Sequence, residues 1–171
     1  KDFATVSFVS IFAIFAIIAI VFKSITLPII LVAVIELAIF INMGIPFYTG
    51  ATLPFIASVV IGTIQLGATV DYAILMTNRY KLERSSGKEK HLAAKDALTA
   101  TMKSIIVSAC TFFGATFGVG AYSSIDMISS LCLLMARGAV ISMLCVICIL
   151  PAMFVVFDKA IVKGSYKFLD K

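Results

Sequence analysis

Twenty consecutive residues, Phe3–Phe22, carry no charge. A helix of that length reaches about 30 Å, the thickness of the hydrocarbon layer of a bilayer. Four more apolar runs follow, at about 27–43, 53–76, 104–121 and 138–157. The expectation is an all-α polytopic membrane helix bundle with five transmembrane helices, forming one domain over residues 1–171. Composition agrees: 61% of residues are apolar and 13% charged, against about 25% charged in a soluble domain. A soluble domain, a disordered chain and a disulfide scaffold are excluded. The first run is too long for a cleavable signal and has no small-residue cleavage site.

The net charge of +5 matters less than where the charges fall. Lys23 sits between the first two runs. Arg79, Lys81, Arg84, Lys88, Lys90 and Lys95 crowd the hydrophilic segment 77–101, and Lys159, Lys163, Lys167 and Lys171 fill the tail. The connections near 44–52 and 122–126 hold no basic residue. By the positive-inside bias, Lys23, the 77–101 loop and the C-terminus are cytoplasmic and the N-terminus lies outside. This describes a multi-pass protein of the cell membrane. Such spacing does not suit a nucleic-acid partner, so membrane lipids are the expected surroundings. Within 77–101, Lys88–Met102 reads as a short cytoplasmic amphipathic helix, with Leu92, Leu98 and Met102 against the membrane. Its histidine, His91, reads as solvated. Gly44-Ile-Pro-Phe-Tyr-Thr-Gly50 reads as a turn. Residues 123–136 read as a short helix at the outer interface, which places Arg137 near the headgroups at the outer end of the fifth span. An outside N-terminus on a chain that opens Lys-Asp suggests a fragment preceded by another spanning helix.

Ionisable groups inside a bilayer are expensive, about 2.5–3.5 kcal/mol on insertion scales, so each invites a function. Three are candidates: Glu36, Asp71 and Arg137. Asp71 lies in Gly67-Ala-Thr-Val-Asp-Tyr-Ala73, where Gly67 and Ala68 allow close helix approach. A carboxyl buried in apolar surroundings has its pKa raised by desolvation, as a proton relay needs. A static interhelical hydrogen bond is the alternative. Gln65 adds polarity to the same run, and Tyr72 stands about 100° round the helix from Asp71. On the fourth run Ser104, Ser108 and Thr111 form a polar face that could lie against Asp71. Glu36 could bind a coupling ion or pair with Arg137 or a hydroxyl. Cys110, Cys132, Cys145 and Cys148 lie in apolar surroundings and read as packing residues. Nothing resembles a phosphate loop, a metal site or a nucleophilic triad, so neither an enzyme nor a cofactor is expected.

The run Gly67-Ala-Thr-Val-Asp-Tyr-Ala-Ile-Leu-Met-Thr-Asn-Arg-Tyr80 resembles the fourth helix of one half of an MMPL-type transporter of the resistance–nodulation–division superfamily. Ala100–Gly120 is similar to the family's fifth helix. Leu134-Met-Ala-Arg-Gly-Ala139 with Leu150-Pro-Ala-Met153 is similar to its sixth helix and exit. The resemblance covers essentially the whole chain, and is nearer the C-terminal half of a Gram-positive member. It implies helices 2–6 of one half, following a first helix and a porter domain that this chain lacks. It also implies proton-driven export of lipids or other hydrophobic or amphiphilic molecules, with protons as the coupling ion. Asp71 would accept the proton, with Tyr72 as its partner across the interface with the other half, which carries its own Asp-Tyr pair. Ser104, Ser108, Thr111 and Gln65 would support that relay. Two other readings are a sterol-sensing-like, lipid-responsive regulatory domain and a non-transporting membrane scaffold; a buried acid at the relay position favours the exporter.

Overall fold

The computed structural model describes residues 2–50 and 55–164. Lys1, the start of the third run at 51–54 and the tail from 165 onward, with Lys167 and Lys171, lie outside the described residues. The described chain is five helices: α1 (Asp2–Phe22), α2 (Thr26–Thr49), α3 (Phe55–Ser85), α4 (Lys90–Tyr122) and α5 (Asp126–Gly164). Among the described residues Thr26–Tyr48, Lys90–Tyr122 and Asp126–Val162 are each long and apolar enough to cross a membrane. α1 contributes a shorter apolar run, Phe8–Phe22. The chain is a membrane helix bundle.

α5 is the central element. It packs against α4, α2 and α3, whereas α1 touches only α2 and α3 among the described residues. Leu31 and Ile35 of α2, Ala73 and Met76 of α3, Ile105 and Ala109 of α4, and Leu150 and Phe154 of α5 form the shared core. The turns are short and use left-handed backbone. Lys23 (φ 49°) turns α1 into α2, and Gly87 (φ 87°) stands between α3 and α4. At the α4–α5 turn the Ser129 hydroxyl donates to the Gly120 carbonyl at 2.7 Å. Leu133 packs so tightly there that a Cβ on Gly120 would stand 2.9 Å from Leu133 Cγ.

Three segments differ from the sequence reading, each because local turn formers are outweighed by packing or pairing. The 44–50 stretch is helical through Thr49, with Pro46 inside the helix; the turn is Gly50 (φ 65°), whose N–H reaches the Pro46 carbonyl. The hydrophilic segment 77–101 is mostly the ends of two long helices joined by residues 86–89. The amphipathic stretch is helical, but runs unbroken into α4, because Ala93, Ala94, Ala97 and Thr101 continue the same buried stripe as Ile105 and Ala109. Residues 123–136 do not form a separate interfacial helix. From Asp126 onward they belong to α5, a single 39-residue helix that also contains Pro151. Arg137 therefore stands inside a helix, eleven residues from its start, rather than at the end of one.

Candidate functional site

α3 carries polar groups toward three places. Asp71 and Tyr72 line an open groove of about 390 Å³ between α3 and α4, together with Ala68, Leu75, Ile105, Ser108 and Phe112. Tyr72 is 5% exposed, its ring set into the core. Asp71 is exposed on the face of the bundle. The expectation of a carboxyl buried by its own helices is thus corrected: this fold leaves Asp71 uncovered. Neither the Asp71 nor the Tyr72 side chain makes a hydrogen bond to another described residue. Open space also stands over glycines of α3 and α4. A Cβ added at Gly67, Gly114 or Gly118 would meet nothing within 4 Å.

The sequence-predicted supporting residues divide. Ser108 joins Asp71 and Tyr72 in the groove. Ser104 is exposed one turn away along α4. The Thr111 hydroxyl is turned onto its own helix, donating to the Val107 carbonyl at 2.8 Å. Gln65 does not join them. Six residues put it about 120° round α3 from Asp71, and that face is buried between α2 and α5.

There Gln65 belongs to a polar cluster that apolar periodicity hid. Asn42 is 0% exposed, Gln65 2% and Ser142 1%. The Asn42 amide donates to Gln65 Oε1 at 2.8 Å and to the Leu134 carbonyl at 3.1 Å. Gln65 Nε2 donates to Ser142 Oγ at 3.0 Å and to the Gly138 carbonyl at 3.3 Å. Arg137 closes the set: its Nε donates to Asn42 Oδ1 and its Nη2 to the Asn42 carbonyl, both at 2.9 Å. Gly138 makes room for it, since a Cβ there would lie 2.6 Å from Asn42 Nδ2 and from Gln65 Oε1. The pairing of Glu36 with Arg137 considered from sequence is not formed. Arg137 pairs with an amide, and Glu36 is half-buried on α2 with no hydrogen-bond partner among the described residues. Asn42 and Ser142 were legible only as lone polar residues within apolar runs.

At the basic end, near the 86–89 turn, several charges are paired. Arg84 holds Asp158 through Nε at 2.9 Å and Nη2 at 2.8 Å, and its Nη1 donates to the Lys88 carbonyl at 2.7 Å. The Tyr80 hydroxyl donates to the same carboxylate at 2.6 Å. Its ring stacks on Phe154 at 4.7 Å between centroids. The hydrogen bond to Asp158 holds the Arg84 pKa above its ordinary value, while burial and the same carboxylate push the Tyr80 phenol up. Lys88 bridges Glu83 and Asp96, both at 2.6 Å, and Arg79 reaches Glu83 at 2.6 Å. The Lys88 ammonium holds the Glu83 carboxyl below its usual range; Asp96 and Glu83 in turn raise Lys88. Thr26 of α2 points to the same end, toward the Ala160 carbonyl, so the Lys23 turn lies there too. All four cysteines are free; Cys145 is buried and Cys148 exposed.

The two polar layers bracket a bilayer. Arg137 and Asp158, twenty-one positions apart on α5, are separated by about 32 Å along the helix, close to the ~30 Å hydrocarbon thickness. On α3, Asp71 lies about 9 Å from Gln65 and about 20 Å from Arg84, at hydrocarbon depth.

Comparison with known proteins agrees with this architecture. The family model described as the MMPL family matches residues 1–167. A Streptomyces coelicolor protein named membrane protein ActII-3 is 27% identical over 110 residues, which cover 64% of this chain and 15% of that protein. The match therefore takes in only a small part of that relative's length. No solved structure matches the chain.

Proposed function

The chain belongs to the MMPL family of membrane transporters, and on that premise we propose that it is the membrane part of a proton-motive-force-driven exporter of lipids or other amphiphilic molecules. Asp71 is the proton acceptor, and Tyr72, which lines the same groove, is its partner across the interface with the other half. Ser108 lies in the same groove, where it can hold a water between the two helices. The observation that carries this reading is the placement of Asp71. An acid at hydrocarbon depth, exposed in a groove with Ala68, Ser108 and apolar side chains, suits a surface covered by a second helical layer. The proposed cover is the other half of the transporter, with its own Asp-Tyr pair; a porter domain outside this chain selects the cargo. Covered in that way, the carboxyl is desolvated, which favours proton uptake over permanent ionisation.

The basic end faces the cytoplasm in this proposal, because Lys23 and the 77–101 charges gather there. Cysteine labels placed at 86–89 should then be unreachable from outside intact cells, and labelling from outside would invert the topology. The function itself is tested by Asp71→Asn in the full-length protein, with export and proton uptake measured together. Both should fall to background, while Asp71→Glu keeps part of each. Export that survives Asp71→Asn and still depends on the proton gradient would remove Asp71 from the relay.

A further inference from the structure

Among the described residues Arg137 is a cation without a counter-charge. Its Nε and Nη2 are fixed on Asn42, and Asn42 is itself immobilised by Gln65 and the Leu134 carbonyl. All of these partners are neutral. Among the described residues no carboxylate pairs with Arg137, whereas the ion pairs recorded there all lie at the basic end. Arg137 Nη1 has no protein partner among the described residues. An arginine that merely reaches for water extends a mobile side chain. Here the guanidinium is held in one orientation by two hydrogen bonds to a fully buried residue, with one of its nitrogens left over.

Its surroundings say which anion suits it. Arg137 stands about 32 Å from Asp158 along α5, at the boundary where phosphates meet acyl chains. Val140 and Leu144, three and seven residues further into the membrane on the same stripe of α5, are 36% and 51% exposed. A fixed cation above an exposed apolar stripe matches an anionic head above an acyl chain. A guanidinium also suits phosphate better than an ammonium does, because its planar fork presents parallel N–H donors.

We propose that Arg137, fixed by Asn42, binds the phosphate of an anionic phospholipid in the leaflet opposite the basic end, with the acyl chain along Val140 and Leu144. The site requires only that the chain spans a bilayer. Its test involves no transport, so failure here is separable from failure of the proton relay.

The experiment uses the full-length protein in nanodiscs, with spin-labelled phosphatidylglycerol or phosphatidylcholine as the probe lipid. The immobilised fraction of the two lipids gives a selectivity ratio. Wild-type protein should favour phosphatidylglycerol, Arg137→Gln should lower the ratio about two- to fivefold, and Arg137→Lys should restore part of it. Inorganic phosphate at millimolar concentration should not displace the lipid. A second variant guards against misfolding of the first. Asn42→Asp supplies an internal carboxylate to Arg137, so it should abolish the preference with the guanidinium still present. An unchanged ratio in Arg137→Gln, or in Asn42→Asp where Arg137→Gln does not fold, overturns the proposal. So does displacement by inorganic phosphate, which would make the ligand a soluble anion.

Discussion

Two arginines sit at opposite ends of the bundle and are treated in opposite ways. Arg84 meets a carboxylate through two nitrogens, and that carboxylate also takes a tyrosine hydroxyl. Arg137 meets only the side-chain amide and backbone carbonyl of Asn42. At the first end the ion pairs tie α3, the following turn, α4 and α5 together, each carboxylate in them answered by a cation. The second is satisfied in hydrogen bonding but not in charge. An end whose helices are tied by ion pairs can serve as a fixed base. An end that leaves a positive charge standing at a membrane boundary must find its counterpart elsewhere.

The sharpest way to break the comparison is Asp158→Ala. It strands Arg84 and the Tyr80 hydroxyl together and should lower stability by about 3 kcal/mol, read as a fall in thermal midpoint and faster proteolysis at the 86–89 turn. A loss no larger than that of Arg137→Met would mean the two ends are alike after all. Next comes Gly138→Ala. Its Cβ would press on Asn42 Nδ2 and Gln65 Oε1, and overpacking of this kind costs about 1–3 kcal/mol. Gly67→Ala is the matched control, since its Cβ meets nothing within 4 Å. It should leave the stability of this helical unit within about 0.5 kcal/mol; a loss of transport with that stability intact would locate the covering layer on the Asp71 face. The smallest effect belongs to pH. Glu83 titrates below its ordinary 4.5, so its stabilisation is complete above that value and is lost as the pH falls through the lowered pKa. Lys88 titrates above its ordinary 10.5, so its share is complete below that value and is lost as the pH rises through the raised pKa. Amide exchange at residues 83–96 should therefore be flat between these limits, and a step near neutrality would show that another group controls the turn.

Much of this was legible in the residues. Length and apolarity alone require helices, and Asp71 stands out as an acid at hydrocarbon depth beside glycine and alanine. Side-by-side placement was not legible. Gln65 and Asp71 share one run, but face different helices because six residues do not complete two turns. Arg137 was legible as the end of a span, but its partner was not, since Asn42 is ninety-five residues away. The 77–101 segment looked like a loop because it is charged; those charges pair across the helix ends and so tolerate helix there. Exposure of Asp71 was also invisible, since a run of residues does not say which of its faces meets its own chain.

α5 is pinned toward one end by the Asn42–Gln65–Arg137 cluster and toward the other by Arg84 and Tyr80 on Asp158. Between the pins lies Pro151, which cannot donate the backbone bond that would stiffen the preceding turn. A beam clamped at both ends and notched once bends at the notch. Any twist imposed on one end of this helix gathers at Pro151, one turn before Phe154 and two before Asp158.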